Sequence, residues 1–282
     1  MDIAGFDDCR VLVIGDLMID EYVWGNVERV SPEAPVQVVS VRRDSVTLGG
    51  SGNVVNNLVA LGAQVAVAGV IGAGANGDLL TRMFESRSVD VAALIRDPAR
   101  QTTRKTRIIG GHQHVLRIDR ETTQPISSDH HHRLVACLED KLDCVDIVLI
   151  SDYGKGLLTR GLLRDVIDAV RRRKLPVIVD PKGLDFTKYA GATAITPNKR
   201  EASLAAGIEV VDFESLTAVG TKLLQDAAVE TVLITCGKED MVLFQPDTPP
   251  YRIPPRARQV FDVSGAGDTV LAVLGLAVAT GH

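Results

Sequence analysis

The feature that most constrains this chain is a set of short, almost wholly apolar runs that stop at a small or polar residue. Residues 10–16 read Arg10-Val11-Leu12-Val13-Ile14-Gly15-Asp16, and residues 146–151 read Asp146-Ile147-Val148-Leu149-Ile150-Ser151; shorter versions occur at 177–180, 193–195 and 231–235. A strand with water on one face alternates apolar and polar residues. A strand that is apolar throughout is covered on both faces, as in a parallel sheet. Helical stretches separate the runs, among them 159–174 and one beginning at Lys199. This alternation predicts an α/β chain built on a parallel sheet with helices on both faces. A length of 282 residues suits one large domain or two small ones.

Two stretches do not follow the pattern. Residues 22–48 hold strand formers (Val36, Val38, Val41, Thr47) around the loop Ser31-Pro32-Glu33-Ala34-Pro35, with no helical period. Residues 103–119 read as a hairpin turning at Gly110-Gly111. Together, segments of about 20–48 and 101–121 predict a small β-sheet lid over a site. Such a sheet is marginal in water alone, so it must pack on the body or on a second copy.

Net charge is −5, and the one dense basic cluster, Arg171-Arg172-Arg173-Lys174, fits the end of a helix. Nucleic-acid binding is therefore not expected. Cys9, Cys137, Cys144 and Cys236 form no paired spacing, which argues against a zinc site or a disulfide framework and for a reducing, cytoplasmic setting. No leader is visible, and the apolar run near Val270 is too short to span a membrane. His130, His131 and His132 are adjacent and cannot share a helix face; Ser128 or Asp129 as a helix cap explains that stretch better than a metal site.

Two glycine-rich turns precede helices. The C-terminal one reads Val260-Phe261-Asp262-Val263-Ser264-Gly265-Ala266-Gly267-Asp268, followed by a small, apolar stretch over 270–278 that reads as a buried helix. A helix that starts at bare glycine presents free N–H groups and a positive dipole end to an anion. Asp268, in the first turn, is placed to take a proton from a hydroxyl beside that anion. An ordinary turn followed by an acidic first-turn residue accounts for these nine residues equally well. The other turn, Gly49-Gly50-Ser51-Gly52-Asn53, opens a second helix. A third motif, Gly72-x-Gly74-x-x-Gly77, imitates a dinucleotide fingerprint, but no acid-terminated strand is read about twenty residues further on.

Polar residues gather where the strands should end: Asp16, Asp152, Lys155, Asp180, Lys182, Asn198 and Glu201. Ligands of open α/β sheets bind at those ends. Asp16 and Asp20 are candidate sugar-hydroxyl ligands, although Asp16 alone could cap a turn. Lys155 and Lys182 are mobile point charges suited to phosphate. Arg104, Lys105, Arg107 and Arg117 add charge to the lid, where any single one also fits a solvated strand face. Asn198 and Glu201 have the spacing of a helix capping box. Glu201 is also placed to act on Mg²⁺ through water, but on the residues alone the capping box is the better account.

As a set, Asp262-Val263-Ser264-Gly265-Ala266-Gly267-Asp268-Thr269, Gly49-Gly50-Ser51-Gly52-Asn53 and Asn198-Lys199-Arg200-Glu201 resemble the signatures of the ribokinase-like (pfkB) carbohydrate kinases. The resemblance runs from about Arg10 to the end. It implies a three-layer α/β/α fold with a β lid and ATP and Mg²⁺ as co-substrate and cofactor. It also implies a dimer joined through the lids. In the family Asp268 is the base and Gly265, Ala266 and Gly267 form the anion hole. Gly49, Gly50 and Asn53 touch the sugar, and Asn198 and Glu201 act on Mg²⁺ and phosphate. Gly237, in the turn after the 231–235 strand, is expected at the nucleotide. Asp152 and Arg117 complete the expected sugar ligands. Phrases such as Ser151-Asp152-Tyr153-Gly154-Lys155-Gly156 and Asp180-Pro181-Lys182-Gly183 resemble one branch, the kinases of D-glycero-β-D-manno-heptose 7-phosphate. In that branch the acceptor is a sugar phosphate, and Lys155 and Lys182 are the expected ligands of its phosphate on the ground of charge. Family members continue through further helices beyond the position of His282, so the C-terminal end reads as shortened, and no adenylyl transfer is expected. A pfkB kinase for another sugar, or a silent sugar- or nucleotide-binding module, are the competing readings.

Overall fold

The structure is a computed structural model that describes residues 5–111, 113–255 and 265–282. Val260, Phe261, Asp262, Val263 and Ser264 of the C-terminal turn lie outside the described residues, as does His112 of the hairpin. In chain order the strands are β1 (Arg10–Gly15), β2 (Leu17–Val30), β3 (Gln37–Gly50), β4 (Gln64–Gly72), β5 (Asp90–Asp97), β6 (Thr103–Gly110), β7 (Gln113–Arg120), β8 (Ile147–Ser151), β9 (Val177–Asp180), β10 (Ala194–Ile195), β11 (Thr231–Thr235), β12 (Met241–Phe244) and β13 (Tyr251–Ile253). The helices are α1 (Ser51–Ala60), α2 (Ala75–Glu85), α3 (Ser128–Leu142), α4 (Arg160–Arg172), α5 (Lys199–Ala206), α6 (Phe213–Asp226) and α7 (Ala266–Ala279).

The main sheet has the order β13-β12-β11-β10-β9-β8-β1-β4-β5, parallel except for the antiparallel β12 and β13 at one edge. Its strands feed two cores in alternation. Leu12, Ile14, Val148 and Ile150 face the core that includes side chains of α3, α4 and α6. Val11, Val13, Ile147 and Leu149 face the one closed by α1, α2 and α7. That two-sided burial is why the runs carry no polar alternation. Fully burying each such side chain contributes about 1.5–3 kcal/mol.

Sequence reading and structure part at several places. Strand β5 was not anticipated; as an edge strand it keeps charged ends and a mixed burial pattern, so its apolar run is short. The β12–β13 hairpin was also missed, its strands being only 4 and 3 residues long. The α3 cap is Ser127, not Ser128 or Asp129: its backbone is extended and its hydroxyl accepts from His130 N. Helix α7 is one-sided rather than wholly buried. Leu271, Ala272, Gly275 and Leu276 face the sheet, while Val270, Val273, Leu274 and Val278 are half-exposed.

The four-stranded second sheet, β3-β2-β6-β7, is formed by the two anomalous stretches. Strands β2 and β3 pair along nearly their whole 14-residue length, and β6 joins β2 in parallel. No helix separates β1 from β2, so the chain leaves the main sheet at Asp16 and enters the lid directly. It returns at Gly50, which pairs with Leu17, and starts α1 at once. The lid is therefore rooted at the carboxyl end of β1.

Candidate active site

Asp268 is the focus of that end of the sheet. It lies in the first turn of α7 and is only 4% exposed. Asn53 Nδ2 donates to its Oδ2 at 2.7 Å, and the Tyr153 hydroxyl donates to its Oδ1 at 2.8 Å. Asn53 comes from the start of α1, and Tyr153 from the loop after β8. Burial raises the Asp268 carboxyl above its usual range, while the Asn53 and Tyr153 hydrogen bonds oppose the shift. The Tyr153 hydroxyl is itself pushed up by burial and by Asp268, so it remains a phenol donor.

The helix that carries Asp268 is set by two glycines. At Gly275 a Cβ would come within 2.8 Å of Leu149 Cδ2, so this glycine lets α7 lie close on β8. Gly265 caps the helix at φ 78°, and a Cβ there would meet Asn53 Nδ2 at 2.6 Å. Ala266 and Gly267 are exposed at the helix start, where the first N–H groups lack intrahelical partners. This is the geometry of an anion cradle beside a carboxylate.

The other strand ends converge on it. Asp16 is buried, and its Oδ2 accepts from Tyr153 N (2.9 Å) and Lys155 N (3.0 Å). In this structure it staples the β8 loop. Asp152, also buried, accepts from Gly154 N, Lys188 Nζ and the Tyr189 hydroxyl, and so shapes the same loop from below. Arg100 grips that loop too, donating to the carbonyls of Lys155 and Gln124. Asp20 on β2 packs against Gly49, whose Cβ would lie 2.4 Å from Asp20 Oδ2, and pairs with Arg107 at 2.5 Å. Gly50 takes φ 55° as the residue before α1.

On the other side, Asn198 and Glu201 form a full capping box: Glu201 N donates to Asn198 Oδ1, and Asn198 N donates to Glu201 Oε2. Glu201 Oε1 receives Lys182 Nζ at 2.6 Å, which places that lysine beside the expected metal ligand. Asp180, at the end of β9, is pushed up to about 8 by burial, then by the charges of Glu201 and Asp268. Three carboxylates thus share one neighbourhood with one lysine. Among the described residues no trio of His, Cys, Asp and Glu is close enough to chelate an ion unaided. The donors are nonetheless hard oxygens, the kind Mg²⁺ prefers when waters and phosphate complete its shell. Gly237 turns at φ 68° just after β11 with open space above it. Arg117, on the lid, is exposed and forks onto Asp119 at 2.8 and 2.9 Å.

The dinucleotide fingerprint fails for a different reason from the one the sequence offered. Strand β5 does end in an acid, Asp97, twenty residues after Gly77. The glycine turn is occupied instead by residues 100–102. A Cβ on Gly72 would lie 2.4 Å from Arg100 O, and Gly72 N donates to Thr102 Oγ1.

Comparison with known proteins agrees with this geometry. The description "pfkB family carbohydrate kinase" matches residues 9–282. The chain belongs to the pfkB family of carbohydrate kinases. It is 54% identical over 280 residues to the bifunctional protein HldE of Desulfatibacillum aliphaticivorans, covering 99% of this chain and 57% of that one. To HldE of Geobacter metallireducens it is 52% identical over 274 residues, covering 97% and 56%. The chain therefore spans just over half the length of these curated relatives. In fold it is similar to a ribokinase of Arabidopsis thaliana complexed with ribose and ATP, with a TM-score of 0.73 at 21% identity, covering 97% and 86%. It is also similar to phosphofructokinase-2 of Escherichia coli, with a TM-score of 0.77 at 16% identity, covering 96% and 88%. The ribokinase-like three-layer fold expected for a pfkB kinase is the one observed, and the enzyme is a phosphotransferase with a hydroxyl acceptor.

The pfkB signatures mark Asn53 and Asp268, and the structure joins them by a hydrogen bond. Tyr153, which touches Asp268, is not among the candidate residues of the sequence; its one signal there is its place, one residue beyond the strand-end acid Asp152.

Proposed function

We propose that this pfkB kinase transfers the γ-phosphoryl group of ATP to the anomeric hydroxyl of D-glycero-β-D-manno-heptose 7-phosphate, giving the 1,7-bisphosphate used for lipopolysaccharide core assembly. The observation that carries the chemistry is the buried Asp268 carboxylate, held by Asn53 and Tyr153 at the amino end of α7. The identity of just over 50% to HldE proteins supports the heptose branch.

In the reaction the acceptor O–H proton passes to Asp268. Each carboxylate oxygen has a second lone pair, so this does not require loss of Asn53 or Tyr153. The sugar oxygen forms its bond to the γ-phosphorus as the bond to the bridging oxygen breaks, and ADP leaves. Backbone amides at Gly265, Ala266 and Gly267 hold the charge on the transferred group. Asp20, Gly49, Gly50 and Asn53 bind sugar hydroxyls, with Asp16 and Asp152 fixing the loop that carries Tyr153. Asn198 and Gly237 bind the nucleotide phosphates. Lys182, expected with Lys155 at the sugar's phosphate, is paired with Glu201 and is reassigned to the nucleotide side, which leaves Lys155 for the sugar's phosphate. Mg²⁺, when bound near Glu201 and Asp180, neutralises phosphate charge. A homodimer through the lid accounts for its exposed Val30, Val41 and Leu116. Among the described residues no helix is long and apolar enough to cross a membrane.

The test is ADP release over a panel of sugars and sugar phosphates. A preference for heptose 7-phosphate upholds the proposal. Faster turnover of ribose or fructose 6-phosphate replaces it with a kinase for another sugar, and binding without turnover replaces it with a silent module.

A further inference from the structure

On the wall where β2, β6 and β7 meet the β8 loop, four cations face three carboxylates. Arg107 is paired with Asp20 at 2.5 Å, Arg117 with Asp119 at 2.8 Å, and Lys155 with Glu121 at 2.7 Å. The fourth cation, Lys105, has no ion pair or hydrogen bond for its ammonium among the described residues. Its cross-strand neighbours are Asp20 and Asp119, and both are already held by arginines. It is half-buried, with its Nζ over the Tyr153 ring, 5.9 Å from the ring centroid. Burial, and then the nearby charge of Lys155, bear against its protonated form; Asp20, Asp119 and Glu121 act the other way, and the net direction is downward. A half-buried, unpaired ammonium next to a second lysine costs free energy unless an anion arrives.

The direction in which it lies is informative. Tyr153 spans the gap: its hydroxyl touches Asp268, and Lys105 stands over its ring. An acceptor with its reacting hydroxyl at Asp268 would run past this ring, and its far end would reach Lys105. Lys182, unlike Lys105, has an ion-pair partner, Glu201.

We propose that Lys105 is the residue that selects a phosphorylated acceptor: its ammonium receives the phosphomonoester at the end of the sugar remote from the hydroxyl that Asp268 deprotonates. Lys155 stands beside it, but its charge is shared with Glu121, so Lys105 supplies the uncompensated charge. The inference rests on the kinase reading above and adds which side chain enforces the substrate class.

The experiment compares wild type, Lys105→Met and Lys105→Arg with D-glycero-D-manno-heptose 7-phosphate and the same heptose without phosphate, following ADP release. Lys105→Met raises KM for the 7-phosphate roughly 10–100-fold more than KM for the free heptose, the usual worth of a hydrogen bond to a charged group. The loss falls on KM rather than kcat, and Lys105→Arg recovers part of it. An equal rise for both acceptors, or no rise for the 7-phosphate, overturns the role of Lys105 while the kinase reading stands. A wild type that uses both acceptors equally well does the same. A wild type that releases ADP with neither overturns the kinase reading and Lys105 with it. Thermal melts confirm that each variant is folded.

Discussion

Tyr153→Phe is the sharpest probe of how Asp268, the proposed base, is held. The substitution removes one oxygen and leaves the ring between Asp268 and Lys105. It deletes the 2.8 Å hydrogen bond to Asp268 Oδ1 and leaves Asn53 as the remaining observed donor to the carboxylate. A hydrogen bond to a charged group contributes about 1.5–3 kcal/mol. At about 1.4 kcal/mol per tenfold, its loss disfavours the ionised form roughly 10–100-fold. The sign follows from the role. Burial already raises the Asp268 carboxyl, and Tyr153 is one of the two bonds that pull it back down. Without Tyr153 the carboxyl rises further, and a base must be ionised to accept a proton. Activity is therefore lost at a higher pH than in wild type as the medium is acidified, while the alkaline plateau is less affected. The assay is kcat and kcat/KM from pH 5 to 9 with saturating ATP, with a chemical denaturation curve beside it. Stability should fall by about 1–3 kcal/mol, because a nearly buried acceptor loses its partner. An acid limb superimposable on that of wild type would refute the claim that Tyr153 tunes the base.

Other substitutions test the remaining parts. Asp268→Asn should keep the fold, by circular dichroism and thermal melt, and lower kcat roughly 10²–10⁴-fold; a near-normal rate would remove it from the mechanism. Gly265→Ala combines φ 78° with a 2.6 Å contact to Asn53 Nδ2, so both stability and kcat should drop, the backbone strain alone costing about 1–2 kcal/mol; unchanged melting and turnover would show that the cap is not needed. Asp180→Asn should flatten the pH dependence of stability in ligand-free protein. The folded-state value of about 8 exceeds the ordinary 3.8, so the native state binds the extra proton and stability falls as pH rises across that window. Melts of wild type and variant that run parallel from pH 5 to 8 would contradict this.

The sequence is most legible where burial repeats with a short period. Val11, Leu12, Val13 and Ile14 are apolar because successive residues enter different cores, and that pattern alone reveals a two-faced sheet. The same logic has little purchase on β5, where the edge position leaves Asp90, Ala92 and Arg96 exposed. At the site, the glycine turns could be read because backbone geometry dictates residue type, whereas the role expected of Asp268 came from the resemblance to the pfkB signatures. The partners of the lysines could not be read. Lys182 meets Glu201, and Lys155 meets Glu121, across gaps of 19 and 34 positions that only the fold closes. Residue type announces a charge, but the residual charge after pairing decides what it binds.

That residual charge also explains why the lid and the body form one site. On the body side, the charges of Glu201 and Asp268 add to burial in raising the Asp180 carboxyl, and Lys182 is the cation paired with Glu201. On the lid side the balance is reversed, with Lys105 left unpaired beside Lys155. Tyr153 touches a member of each imbalance: its hydroxyl bonds Asp268, and Lys105 stands over its ring. A neutral sugar would relieve neither. A divalent cation with nucleotide relieves the first, and an acceptor that carries its own phosphate relieves the second. Since a ligand stabilises the folded protein in proportion to its preference for that state, the two ligands should each raise the melting temperature, and Lys105→Met should abolish most of the rise due to the sugar phosphate while sparing that due to Mg²⁺ and nucleotide. Loss of both rises together would mean that the two charge imbalances are not separate.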